Sequence, residues 1–325
     1  MKFNKNLLAI DPAAEAERIV LSLRQSVQKV LRRYGAVVGV SGGVDSAVVL
    51  ALCVRAFGPA KVIAVTMPDQ DSSPQSEQLA REAARQCGVE PILENVTPAL
   101  QGFGCYRRRD EAVRSVVPEY GEGWRCKIVL PDQITQPGYA IFSVVVRAPS
   151  GEERRVRLPL DAYLGIVAAT NFKQRVRKMM EYYYADRYRY AVAGTANLLE
   201  HDQGFFVKLG DGAADLKPIA HLYKSQVYQL AEFLGVPETI RRRQPTTDTY
   251  PLEQSQEEFY FSLSLEQTDL CIYARDRGIP PAEAAPVVGL TTEQVTRAFQ
   301  VIDSKREAAR YLHAQSMLFE PEYVA

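Results

Sequence analysis

Apolar residues along this chain follow two alternating rhythms, and the alternation predicts its architecture. From Asp11 to about Arg33, Ile19, Val20, Leu23, Val27, Val30 and Leu31 recur at helical spacing and form one apolar stripe. Ala36 to Val40 is then a β-branched run of strand type, and Ala47-Val-Val-Leu-Ala-Leu opens an apolar helix. Lys61-Val-Ile-Ala-Val-Thr66 reads as a second buried strand. Ser73-Pro-Gln-Ser76 reads as a helix start with Pro74 in the first turn, continuing to about Cys87. Pro91 to Val96 is a third strand, and Tyr190-Ala-Val-Ala-Gly-Thr195 a later one. Strand and helix in alternation predict an α/β fold: a doubly wound parallel sheet with helices on both faces. In such sheets ligands sit beyond the carboxyl ends of the strands.

The rhythm breaks between about 99 and 168. Cys105-Tyr-Arg-Arg-Arg-Asp is basic, Pro131 to Gly138 is rich in turn formers, and the run from Tyr139 to Ala148 followed by Arg154 to Leu158 predicts a β-hairpin. Its apolar strands need a surface to pack on, so this is an α+β insertion rather than a disordered segment. Helix resumes at Asp161, and Asn171 to Arg189 carries a dense Arg/Lys/Tyr face. Helices and loops fill the rest, with a helical region at about 255–325. The whole chain, 1–325, reads as one domain with one insertion.

Composition narrows the function classes. Lys plus Arg equals Asp plus Glu at 39 each, so no global charge draws the chain to nucleic acid or to a membrane surface. The five cysteines are widely spaced with no C-x-x-C pair, which argues against a zinc site, a redox motif or a disulfide framework. No signal peptide and no membrane-length apolar run is present, so the expected location is cytoplasmic.

The stretch Gly39-Val-Ser-Gly-Gly-Val-Asp-Ser46 carries the strongest chemistry. It joins a buried strand to a helix through Ser41, Gly42 and Gly43, which let the backbone turn and aim several N–H groups at one point. The helix start adds its positive dipole end, a nest for an anion with several oxygens. Asp45 beside it suits a divalent cation that bridges phosphates. The spacing fits neither the Walker A loop nor the dinucleotide G-x-G-x-x-G. Ser-Gly-Gly-x-Asp-Ser resembles instead the pyrophosphate loop of the N-type ATP pyrophosphatases, whose fold is adenine nucleotide α-hydrolase-like. Those enzymes split ATP between its α and β phosphates.

A second constellation follows in order: Asn171-Phe-Lys-Gln-Arg-Val-Arg-Lys, then Gly194-Thr-Ala-Asn-Leu-Leu-Glu200. After it come Gln203-Gly-Phe-Phe-Val-Lys-Leu-Gly-Asp-Gly-Ala-Ala-Asp215-Leu-Lys-Pro-Ile, Lys224, and Gln244-Pro-Thr-Thr-Asp248. Together these resemble ammonia-dependent NAD synthetase, from about residue 14 to about 260. The resemblance implies that Gly39, Val40, Ser41, Gly42, Gly43, Val44, Asp45 and Ser46 hold the ATP phosphates. Thr195, Lys224 and Thr246 would also contact ATP, and Asp45 and Glu200 would ligate Mg²⁺. Arg175, Lys208 and Asp215 would hold deamido-NAD, with Asp215 also a candidate proton acceptor from ammonia. The implied reaction adenylates the nicotinate carboxylate of deamido-NAD, with Lys224 neutralising the departing pyrophosphate. Ammonia then displaces AMP. A homodimer is implied as well.

Some features depart from that family. There is no glutaminase domain, so nitrogen comes from free ammonia or from a separate glutaminase subunit. The insertion is longer than in compact members and precedes the substrate-binding helix, which leaves a related amidoligase or adenylating ligase for another carboxylic acid as the alternative. The family's C-terminal His-Lys pair has no clean match; Lys305-Arg306 and Leu312-His313 are the nearest. Glu283 to Phe299 resembles a helix-turn-helix, with Gly289 at the turn and Thr291 as cap. Its acidic residues suit two packed helices better than a nucleic-acid reader.

Overall fold

The computed structural model describes residues 3–130, 134, 141–247 and 249–319. Asp11 starts α1 (Pro12–Arg24) by accepting the Ala13 and Ala14 N–H groups, and the helix runs on through a π-helical turn, Gln25–Val30. Next come β1 (Ala36–Gly39), α2 (Val44–Phe57), β2 (Val62–Thr66), α3 (Pro74–Gln86) and β3 (Ile92–Leu93). Then follow α4 (Thr97–Gly102), α5 (Cys105–Arg114), β4 (Arg125–Val129), β5 (Ser143–Arg147) and β6 (Glu153–Arg157). A long helix, α6 (Leu160–Tyr188), leads to β7 (Ala191–Ala193).

The parallel sheet has the order β3-β2-β1-β7, pairing Ala36 with Val62 on one side and with Ala191 on the other. The chain winds outward from β1 through β2 to β3 and returns on the far side of β1 with β7. The gap beyond the carboxyl ends of β1 and β7 is therefore the topological switch point, where open α/β sheets bind ligands.

Each face of the sheet is covered. The α1 stripe of Ile19, Val20 and Leu23 packs in one core with Val48 and Leu52 of α2, and Val27 of the π-turn is buried as well. Val30 and Leu31 of the expected stripe are exposed, because the π-turn rotates them off that face. On the other face Val37, Val65 and Val192 meet Cys105 and Tyr106 of α5 and Val176 and Tyr184 of α6.

The expected insertion at 99–168 divides in two. Its first part is α4 and α5, which pack against α6 as ordinary helices of the second face. Only the later part is foreign to the parallel sheet: β4-β5-β6 form a separate antiparallel sheet, with Cys126 opposite Val146 and Val144 opposite Val156. The predicted hairpin is β5 and β6; its first residues, Tyr139 and Ala140, and the turn-rich stretch before them lie largely outside the described residues. β4 has no counterpart in the expected strands, since Arg125 and Lys127 hide its alternation of Cys126 and Ile128. The third strand is two residues long rather than six.

Beyond β7 lie α7 (Leu198–Gln203), α8 (Lys224–Phe233), α9 (Glu238–Arg241), α10 (Leu265–Asp276), α11 (Pro281–Val288) and α12 (Thr292–His313). The helix-turn-helix-like segment is α11 and α12, joined at Gly289 with φ +77° and capped by Thr291 on the Gln294 N–H. Val288, Val295, Ala298 and Ile302 bury themselves with Leu270 and Ile272 of α10, so the pair is a packed helical layer.

Candidate active site

The loop after β1 turns under tight steric control. Gly42 has φ +82°, and a Cβ there would stand 2.4 Å from the Ser76 carbonyl at the start of α3. A Cβ on Gly39 would stand 2.7 Å from Glu181 Oε1 of α6. Both glycines are needed for neighbouring helices to close on the loop. Ser46 ties it from within, donating to the Gly43 carbonyl at 3.0 Å and accepting the Ser41 N–H at 3.2 Å. The first turn of α2 thus presents its free N–H groups at the switch point.

Charge gathers there from three other elements. Lys224 is the first residue of α8 and is buried; its ammonium is ion-paired with Asp45. Asp269 of α10 fixes that helix start by accepting the Lys224 and Ser225 N–H groups at 3.1 and 2.7 Å. Asn197, the N-cap of α7, accepts the Glu200 N–H and donates to Asp45 Oδ1 at 2.9 Å. One asparagine therefore holds both acidic residues. Burial, and then the Asp45 charge, pushes the Glu200 carboxyl up to about 8. Burial opposes the Lys224 ammonium, but Asp45 and Glu200 outweigh it and hold its pKa above the ordinary value.

Two carboxylates facing one space beside a phosphate-type nest are a donor set that a hard divalent cation satisfies, usually with substrate oxygens completing its shell. Asp45 and Glu200 are the residues that would hold it. Among the described residues there is no larger His/Cys/Asp/Glu cluster.

These groups line one cavity of about 610 Å³, within the range of small-molecule sites. Of the residues expected at the nucleotide, Gly39, Val40, Ser41, Gly43, Val44, Asp45 and Ser46 are on its wall, as are Thr195, Glu200, Lys224 and Thr246. Thr195 follows β7, and Thr246 is held by a bridge to Ser255. Asp248 lies outside the described residues. Gly42 supports the loop from behind. Thr66, at the end of β2, turns a buried hydroxyl without a partner among the described residues toward the same wall.

The three residues expected at the acid substrate lie off this wall. Arg175 is exposed on α6, its Nε donating to the Lys208 carbonyl at 3.3 Å. Lys208 Nζ donates to the Tyr311 carbonyl at 2.8 Å and sits 4.2 Å from that ring. Asp215 accepts the Val192 N–H at 2.7 Å and the Tyr182 hydroxyl at 3.4 Å. Arg175 and Lys208 are thus brought together, outside the cavity wall, while Asp215 braces β7.

The cavity face of α6 carries Gln174, Arg177, Lys178 and Glu181 instead. Arg177 pairs with Asp69 at 2.7 Å and donates to the Met67 carbonyl at 2.9 Å. Lys178 pairs with Glu181 at 2.6 Å, and burial raises the Glu181 pKa. Sequence reasoning passed over these residues. The signal was present, since 174, 177, 178 and 181 share one helical face that 175 leaves by a quarter-turn or more. Asn197 was equally legible as the N-cap three residues before Glu200.

Comparisons with known proteins place the chain in a family. The family model described as NAD synthase matches residues 15–116 and 160–309, skipping β4, β5 and β6. An NH(3)-dependent NAD(+) synthetase of Mesorhizobium japonicum is 56% identical over 312 residues, 96% of this chain and 98% of that protein. Among solved structures, the NH3-dependent NAD synthetase of Campylobacter jejuni superposes with TM-score 0.61 at 19% identity, covering 96% of this chain and all of that one. The NMN synthetase of Francisella tularensis gives the same TM-score at 22% identity over 97% of this chain and all of its own. At those identities the structures bear on the fold alone.

Proposed function

The chain belongs to the NAD synthase family, and on that premise we propose that it is an ATP-dependent ligase that amidates the nicotinate carboxylate of deamido-NAD with ammonia. Its products are NAD, AMP and pyrophosphate. The observation that carries this reading is the meeting of Asp45, Lys224 and Glu200 at the anion nest of Gly39–Ser46 in one cavity, with Asn197 holding Asp45 from behind. The nest binds ATP phosphates, and Thr66, Met67 and Pro68 at the end of β2 receive the base. Asp45 and Glu200 would hold Mg²⁺, which would supply positive charge to the phosphates.

A carboxylate is a weak electrophile, so it first attacks the α-phosphorus, its oxygen forming the new P–O bond as pyrophosphate leaves. Lys224, released from Asp45, neutralises that leaving group. Ammonia then adds to the acyl carbon, the proton that its nitrogen sheds passes to solvent, and AMP departs with the C–O bond electrons. No protein nucleophile is required, and the protein's contribution is positioning and charge. Arg175, Lys208 and Asp215 hold the dinucleotide acid from the rim, in a homodimer whose second subunit completes that rim. Nitrogen arrives as free ammonia or from a separate glutaminase subunit, and the site of action is cytoplasmic.

The test is direct. With ATP, Mg²⁺, ammonium and deamido-NAD, the protein should make NAD, AMP and pyrophosphate in equal amounts. Omitting Mg²⁺ should stop turnover. ADP and orthophosphate would reject the pyrophosphatase chemistry, and pyrophosphate release with another acid but not with deamido-NAD would move the substrate to that acid.

A further inference from the structure

The cavity does not end at the nucleotide. Tyr163 in the first turns of α6 and Glu181 near its end both line it, so it follows the helix for eighteen residues, about 27 Å. Its two ends differ in chemistry. Near Glu181 it is charged; near Tyr163 it is walled by Phe142, Tyr163, Tyr250 and Phe259. The Phe142 and Tyr163 rings are stacked, 4.2 Å between centroids and 15° from parallel. They also line a second, apolar cavity of about 410 Å³ with Leu158, Pro159 and Leu160. The pair packs at the edge of the core cluster that holds Val144 and Ile166, and stands as a partition with a cavity on either side. Phe142 belongs to the segment that the family model skips, so this wall is an addition by the insertion.

We infer that the Phe142–Tyr163 pair is a stacking platform for a planar heteroaromatic ring of the acid substrate, at the end of the dinucleotide away from the reacting carboxylate. This deepens the proposed function and rests on it. ATP, anchored by phosphates at Gly39–Ser46 and by its base at Thr66, lies beside Arg177, which bonds the Met67 carbonyl. From Arg177 to Tyr163 is a further fourteen residues of α6, about 21 Å. A ring reaching Tyr163 thus belongs to a second molecule, and a substrate carrying two bases has one to spare. Stacking on aromatic side chains is the recognition that every base accepts.

Phe142→Leu and Tyr163→Leu keep apolar volume and remove the ring face; Tyr163→Phe keeps the ring. With wild-type turnover of deamido-NAD as reference, each Leu variant should raise KM for the acid about tenfold with kcat and the KM for ATP unchanged, and Tyr163→Phe should behave as wild type. A readout on the unmodified protein guards against a variant that fails to fold. Trp124 packs in the same cluster as Phe142 and Tyr163, so its emission should change on adding deamido-NAD and not on adding ATP. An unchanged acid KM in a folded Leu variant, a rise in the ATP KM alone, or a Trp124 response to ATP only would overturn the inference. Failure of wild type to use deamido-NAD would instead fall on the proposed function.

Discussion

Lys305 of α12 shows how a single side chain can set a property of the whole chain. Its ammonium donates to the Tyr260 carbonyl and lies 4.1 Å from the Tyr260 ring and 5.4 Å from that of Phe261. Burial among them lowers its pKa from 10.5 to about 7. Between those values the folded chain has released the proton and the unfolded chain still binds it, so stability rises with pH across that window. Below pH 7 the full penalty of the buried charge is present. Lys305→Met should therefore melt higher than wild type at pH 7 and lose the rise in melting temperature between pH 7.5 and 9.5. Parallel melting curves for the two proteins over that range would refute this. The sequence offered Lys305 only as a distant candidate for a substrate contact. What makes it unusual is the carbonyl and rings that surround it, brought together from another segment by the fold.

At the scale of elements, the site was legible where chemistry and local structure coincide, and illegible where distant segments meet. Gly39–Ser46 declares strand, turn and helix start within eight residues, so its place at the end of β1 followed from the sequence. The charged face of α6 did not separate itself so cleanly. Arg175 and Arg177 carry the same side chain two residues apart, and only the helical face that Arg177 shares with Gln174, Lys178 and Glu181 tells them apart. β4 was missed because its outward arginine and lysine masked its inward cysteine and isoleucine. The bond that joins these elements is Lys173, fully buried on α6, paired with Asp69 at 3.2 Å and Asp71 at 2.7 Å and donating to the Thr249 carbonyl at 2.7 Å. Asp71 also pairs with Arg109 of α5 at 2.5 Å. Lys173 of α6 thus joins the loop after β2 to Thr249, and Arg109 ties α5 to the same loop through Asp71. Lys173→Met removes one of the two cations on each acid, leaving Asp69 to Arg177 and Asp71 to Arg109, and should lower stability by about 1.5–3 kcal/mol in urea unfolding. A loss under 1 kcal/mol would mean that the elements hold one another by apolar packing alone.

For the whole molecule, α1 and the aromatic face of α6 are the two apolar surfaces that could form a two-fold contact, and the monomer's own core uses the first. The apolar stripe of α1 is spent inside the monomer, against α2. Met179, Tyr183 and Tyr188 on α6 remain exposed, on the helix that carries Arg175. Large aromatic residues on a surface helix suit an interface core. Light scattering should give twice the chain mass of 36.3 kDa, and Tyr183→Glu with Met179→Glu should halve it; a wild-type monomer would rule the dimer out. Fold class and reaction type were open to sequence reading, since both rest on contiguous patterns, whereas assembly rests on which apolar residues the core leaves over. The Asp45–Lys224 pair has a consequence of another kind. Each of these charges already has its partner within the folded chain, so neither is bare before a nucleotide arrives. The same arrangement means that a nucleotide does not simply add its contacts to the protein's own. It must dissolve a bond that already exists, and the stabilisation that it confers is the difference between two occupied states, not the gain from filling an empty one.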